Sequence, residues 1–120
     1  MSKEILVVED QEDSRRIMRD LLTSAGYDII EAITGEEAVI AAETHQPALI
    51  LMDIQLPDFD GYEATRRIKA KSALRQIPVI AVTSYALSGD DVKAFEAGCD
   101  DYVSKPFSPR ELLAKIREYL

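Results

Sequence analysis

Ala48-Leu49-Ile50-Leu51-Met52-Asp53 is an apolar run that ends on a carboxylate. Five apolar residues with no charge among them read as a buried strand. The residues that follow, Ile54-Gln55-Leu56-Pro57-Asp58-Phe59-Asp60-Gly61, are a loop by their Pro, Asp and Gly content. A carboxylate at the mouth of a buried strand is a helix cap, a metal ligand or a nucleophile, and the rest of the chain decides among the three.

Working outward, the same pattern recurs on both sides. Glu4-Ile5-Leu6-Val7-Val8 is a short β-branched strand followed by Glu9-Asp10. From Gln11 to Gly26 the apolar residues Ile17, Met18, Leu21, Leu22 and Ala25 mark one helical face, and Gly26 stops it. Asp28 to Ala32 is a second strand, and Thr34-Gly35-Glu36-Glu37 is a capping box for an Ala-rich helix ending near His45 and Pro47. Beyond Asp53, Asp60 caps a third helix carrying Ala64, Ile68 and Ala70. Ile77 to Thr83 is a fourth strand with Pro78 at its start, and Ser88-Gly89-Asp90-Asp91 opens a fourth helix that ends at Gly98. That helix has a thin apolar stripe, chiefly Val92 and Phe95. Asp101 to Ser104 is a fifth strand. Ser108-Pro109-Arg110-Glu111 is a capping box with Pro at the first helical position, and Leu112, Leu113, Ile116, Tyr119 and Leu120 form the last stripe.

Strand then helix, repeated along the chain, predicts a doubly wound α/β fold: a parallel sheet covered on both faces. Right-handed crossovers place every strand's C-terminal end on one edge, where ligands of such folds bind. A length of 120 residues fits one domain, 1–120, with about two-thirds of the unfolded surface buried. The longest apolar runs fall far short of the roughly 20 residues that span a bilayer, and no signal peptide is expected ahead of the first strand. The single cysteine, Cys99, fits a reducing, cytoplasmic compartment. With 14 Lys plus Arg against 22 Asp plus Glu, the net charge of -8 opposes binding to nucleic acid or an anionic membrane. It suits a cation site or a partner with a basic face.

The strand ends supply Glu9 and Asp10, Asp53, Thr83 and Ser84, and Lys105. Three carboxylates gathered together repel unless a cation joins them. All-oxygen ligation favours Mg2+, with Mn2+ as a substitute, and such an ion usually also holds phosphate oxygens. The chemistry that fits is in-line attack by Asp53 on a phosphoryl group, with the metal and Lys105 neutralising the equatorial oxygens and Thr83 donating its hydroxyl to one of them.

Val7-Val8-Glu9-Asp10, Leu51-Met52-Asp53-Ile54-Gln55-Leu56-Pro57, Asp60-Gly61, Val82-Thr83-Ser84 and Tyr102-Val103-Ser104-Lys105-Pro106-Phe107 together resemble the receiver domain of two-component response regulators. The resemblance covers nearly the whole chain, and the five segments in this order are highly specific. It implies a flavodoxin-like (βα)5 fold with strand order 2-1-3-4-5. It also implies phosphorylation of Asp53 from a phosphohistidine of a histidine kinase or histidine phosphotransfer protein. Magnesium would be held by Glu9, Asp10, Asp53 and the main-chain carbonyl of Gln55, and the Lys105–Pro106 peptide would be cis. Thr83 and Tyr102 would act as the switch that reshapes the face of the fourth helix, fifth strand and fifth helix for a downstream protein. Gln55, Ser84 and Tyr85 would tune the lifetime of the phosphoryl group, with Ser84 standing where alanine is frequent. The product is a conformation: the chain would catalyse only its own phosphorylation and dephosphorylation, as a monomer or a phosphorylation-dependent dimer. The loop after Asp53 resembles hybrid-kinase receivers and stand-alone regulators of the DivK type. No output domain is expected in this chain, which is either a stand-alone regulator or a receiver cut from a longer protein.

Taken singly, each residue has a duller explanation: Glu9-Asp10 as a helix cap, Asp53 as a loop cap, Thr83 and Ser84 as turn residues, Lys105 as a surface charge, Tyr102 as a half-buried strand residue. His45 reads as a solvated helix end and Cys99 as a small residue packed beside Gly98. Three other functions compete. A magnesium-dependent aspartyl phosphatase typically carries a second aspartate two residues after the nucleophile, where Gln55 stands. A nucleotide or flavin module needs a Gly-rich loop where Asp10-Gln11-Glu12-Asp13 is acidic. A partner-binding pseudo-receiver has no need of the intact acid pair, Asp53, Thr83 and Lys105.

Overall fold

Strands and helices alternate from end to end. The computed structural model describes residues 3–84 and 90–120, with Asp90 and Asp91 in backbone only. The order is β1 (Glu4–Val8), α1 (Glu12–Ser24), β2 (Asp28–Ala32), α2 (Gly35–His45), β3 (Leu49–Asp53), α3 (Gly61–Lys69), a 3-10 turn (Ser72–Leu74), β4 (Val79–Thr83), α4 (Asp90–Ala97), β5 (Asp101–Ser104) and α5 (Pro109–Tyr119). The strands form one parallel sheet in the order β2-β1-β3-β4-β5. The chain first winds outward from β1 to β2 and then restarts on the other side of β1 with β3, so the switch in strand order lies between β1 and β3.

Side-chain alternation along the strands builds two cores. Ile5, Val7, Leu49, Leu51, Ile80, Val82 and Val103 face one way and meet Met18 and Leu22 of α1 and Leu112 and Ile116 of α5. Leu6, Val8, Ile50, Met52, Val79 and Ala81 face the other way and meet Ala38 and Ala42 of α2, Ala64 and Ile68 of α3, and Ala94 of α4. Helix starts follow local chemistry. The side chains of Thr34, Asp60 and Ser108 accept hydrogen bonds from the backbone N–H of Glu37, Glu63 and Glu111. The Glu37 carboxylate in turn accepts from Ile33 N, one residue earlier than an ideal capping box.

Four expectations are corrected. Of the residues read as the α1 core face, Ala25 is exposed past the helix end and Ile17 is 61% exposed, whereas Met18 beside it is 1% exposed. Each residue turns about 100° around a helix, and the sheet is met by Met18 and Leu22. The α4 stripe is inverted: Ala94 and Ala97 are buried, and Val92 and Phe95 face outward. Small residues inside let the helix lie close to the sheet, and Phe95 packs edge-on against Tyr102, with ring centroids 6.2 Å apart. Ala70 caps the C-terminus of α3 and is exposed. β4 begins at Val79, two residues later than expected, because Ile77 N closes the preceding turn on Leu74 O. The expected cap at Ser88-Gly89 lies outside the described residues.

Met18→Ala is expected to cost about 2–4 kcal/mol by leaving a cavity, and Ile17→Ala to stay within about 0.5 kcal/mol. Urea denaturation of the two variants checks this, and a comparable loss in both would contradict the observed face of α1.

Candidate functional site

Register and alternation bring the site together. Val8 pairs with Met52 across β1 and β3, so the next residues, Glu9 just past β1 and Asp53 at the end of β3, lie side by side. Glu9 continues the parity of Ile5 and Val7, Asp53 that of Leu49 and Leu51, Ser84 that of Ile80 and Val82, and Lys105 that of Val103. All four therefore sit at the strand ends on the α1/α5 side of the sheet. Asp10, Asp53, Gln55, Ser84 and Lys105, with Ser14 from α1, line one cleft of about 430 Å3. Thr83 has the opposite parity, is buried, and ends β4 opposite Ser104.

The electrostatics of this cleft are strained. Glu9 is fully buried and Asp53 nearly so. Lys105 Nζ donates to Glu9 Oε1 at 2.7 Å and lies 3.6 Å from Asp53 Oδ2, while Asp53 Oδ1 accepts from Gln55 N at 3.2 Å. Among the described residues, Glu9 Oε2 is buried without a hydrogen-bond partner. Burial first, and then the Asp53 carboxyl alongside, push the Glu9 carboxyl up to about 7, against the lowering effect of Lys105. Glu9, Asp10 and Asp53 each offer an oxygen within 4.8 Å of the other two, with Asp10 the least covered. An orphaned buried carboxylate oxygen among three acids, with no nitrogen or sulfur donor in the group, fits a hard dication of the Mg2+ or Mn2+ class.

The loop after Asp53 is held from two sides. Gly61 N donates to Ile54 O at 2.8 Å, and Thr65 Oγ1 donates back to Gly61 O. A Cβ at Gly61 would collide with the main chain of Asp53 and Ile54, so glycine alone lets α3 start this close to the acid. Asp58 spans to α2, its two carboxylate oxygens accepting from Gly35 N and Glu36 N at 2.8 and 2.9 Å. Phe59 fills the space where Gly35 lacks a side chain, and Arg67 lies over its ring at 4.0 Å.

Comparison with known proteins places this geometry. The family model described as "Response regulator receiver domain" matches residues 5–117. This chain belongs to that family. The receiver is 44% identical over 120 residues to the polar-differentiation response regulator DivK of Brucella ovis, covering 100% of this chain and 98% of that relative. Among solved structures, it superimposes with a TM-score of 0.93 on the receiver domain of the sensor histidine kinase PA1611 of Pseudomonas aeruginosa. That receiver, at 39% identity and with 99% and 98% of the two chains covered, has a magnesium ion coordinated in its active-site cleft. A putative response regulator from Chloroflexus aurantiacus gives a TM-score of 0.95 at 28% identity, over 99% and 98% of the chains. The five-stranded order and the helices on both faces are those of the CheY-like, flavodoxin-fold receivers.

Other residues of the receiver named from its sequence fall as follows. The Lys105–Pro106 peptide is cis. Tyr102 lies away from the cleft, half-buried against the core on the α2/α3/α4 side and against Phe95. Tyr85 lies outside the described residues. His45 is exposed in the last turn of α2, and Cys99 is buried with its Sγ 3.7 Å from Thr65 Oγ1. Sequence reading missed the tether made by Asp58 and the support given by Arg15, whose Nη1 donates to Glu9 O at 3.0 Å. A carboxylate in a loop or an arginine on a helix carries no local signal of a distant partner.

Two outcomes follow from this geometry. Because the folded protein holds the Glu9 proton above the ordinary carboxyl range, that stabilising component is complete below about pH 4.5 and gone above about pH 7. Thermal melts of the metal-free protein are expected to show this loss, a Glu9→Gln variant to lack it, and added Mg2+ to restore stability above pH 7. Equal pH profiles for the two proteins would contradict it. Gly61→Ala is expected to destabilise by about 1–3 kcal/mol through overpacking, read by urea denaturation, with an unchanged midpoint as the contrary result.

Proposed function

We propose that the chain takes a phosphoryl group from a phosphohistidine of a histidine kinase or histidine phosphotransfer protein onto Asp53, and passes the signal on as a change of shape. The observation that carries this reading is the Asp53 carboxylate at the cleft, flanked by Lys105 at 3.6 Å and by the Glu9–Asp10 acid pair. One Asp53 oxygen forms the new P–O bond as the P–N bond to the donor breaks, and the electron pair returns to the imidazole nitrogen. Lys105 meets the charge on the phosphoryl oxygens, and Thr83 donates its hydroxyl to one of them. Glu9, Asp10, Asp53 and the main-chain carbonyl of Gln55 would hold Mg2+, or Mn2+ in its place, which when bound adds positive charge against the same oxygens. The magnesium ion in the Pseudomonas aeruginosa receiver supports that choice.

The output follows from where the switch residues lie. Tyr102 pairs with Ala81, two residues before Thr83 on the adjacent strand, so movement of Thr83 toward a phosphoryl oxygen is transmitted across β4 to β5. Tyr102 and Phe95 then reset the α4-β5-α5 face, on which a downstream protein docks or a second receiver forms a dimer. Gln55, Ser84 and Tyr85 tune the lifetime of the acyl phosphate. The setting for this relay is the cytoplasm.

Intact-mass spectrometry after incubation with a small phosphoryl donor and Mg2+ is expected to show one added phosphoryl group, absent without metal and absent in Asp53→Asn. Labelling of Asp53→Asn at the native rate would overturn the assignment. Lys105→Ala is expected to bind a beryllofluoride mimic yet leave the amide signals of Tyr102 and its neighbours near their resting positions. Native-like shifts in that variant would remove Lys105 from the switch.

A further inference from the structure

We propose that Arg15 is a positioning residue for the Glu9–Asp10 acid pair, with Glu31 as its anchor. This rests on the reading of the cleft as a divalent-cation and phosphoryl site. Arg15 lies in the first turns of α1, its side chain 20% exposed, and uses two edges of its guanidinium at once. Nη1 donates to the main-chain carbonyl of Glu9 at 3.0 Å, and Nε sits 3.3 Å from Glu31 Oε1 on β2. The N–H of Glu9 is already held by Ala32 O at 3.0 Å. Both main-chain polar groups of Glu9 are therefore fixed to β2, one directly and one through Arg15.

The carbonyl that Arg15 binds belongs to the Glu9–Asp10 peptide. Its orientation sets the backbone angles on either side, and with them the directions in which the two carboxylates leave the end of β1. Gln11, at the N-cap of α1, makes no side-chain cap that would hold the turn instead. A fixed fork of donors suits this bridge, because a single ammonium cannot meet a carbonyl and a carboxylate with the same spacing.

Arg19 provides the control. It is the next cation on the same face of α1 and pairs with the same Glu31, Nη1 to Oε1 at 3.2 Å. By charge alone, deleting either arginine beside an acidic cleft raises its affinity for a dication. Positioning predicts the opposite sign, for Arg15 only.

The test measures Mn2+ affinity by calorimetry and the Asp10 amide signal in the 15N spectrum of the metal-free protein. Arg15→Ala is expected to bind Mn2+ about tenfold more weakly, the scale of losing an outer support of a metal ligand, and to shift the Asp10 amide. Arg15→Lys should fall between it and the native protein, and Arg19→Ala should match or exceed native affinity with the Asp10 signal unmoved. Native or tighter binding by Arg15→Ala with an unmoved Asp10 amide would overturn the positioning role and leave the cation reading standing. Native protein that binds Mn2+ no more tightly than Asp10→Asn would overturn the cation reading and the inference with it.

Discussion

The ion pair between Lys105 and Glu9 ties together two strand ends that lie 96 residues apart, and the site depends on its being incomplete. A buried carboxylate is stable when both oxygens are satisfied. Here Lys105 satisfies one Glu9 oxygen and the other has no hydrogen-bond partner among the described residues, with Asp53 alongside. The same ammonium is also within 4 Å of Asp53, so one positive charge is shared between two acids. Such a cluster is less stable than an apolar core of the same volume. Its deficit of positive charge is the property that a dication would use.

The architecture makes this arrangement rigid. Asp53 ends β3, and Glu9, Asp10 and Lys105 sit one or two residues past the ends of β1 and β5, so each position is set by a ladder of backbone hydrogen bonds and not by a free loop. Parity then aims Glu9, Asp53, Ser84 and Lys105 to one side, and Thr83 to the other. Thr83 continues the parity of Val79 and Ala81, toward the side of the sheet that carries α4, where Tyr102 and Phe95 pack. The remaining loop is immobilised by Gly61 at its end and by the grip of Asp58 on α2.

Much of this was legible in the chain. Apolar runs of alternating type gave strand positions within two residues, and caps at Thr34, Asp60 and Ser108 marked helix starts, because both signals are local. Asp53, Glu9, Asp10 and Lys105 were recoverable because residues at or just past the C-terminal ends of strands converge in a parallel sheet whatever the intervening sequence. Helix faces were less legible. Ile17 and Phe95 are apolar but exposed, since hydrophobicity alone does not separate an inward stripe from an adjacent outward one. The grip of Arg15 on Glu9 and of Asp58 on α2 was not legible at all, because both are made to backbone groups, and any residue type presents the same carbonyl or N–H.

The most direct test of the central claim is the carboxyl titration of Glu9, followed by 13C NMR in the metal-free protein and again with saturating Mg2+. An apparent midpoint near 7 without metal, falling by more than a unit when Mg2+ is added, is the predicted result. A midpoint in the ordinary carboxyl range, indifferent to Mg2+, would contradict an acid cluster held short of positive charge.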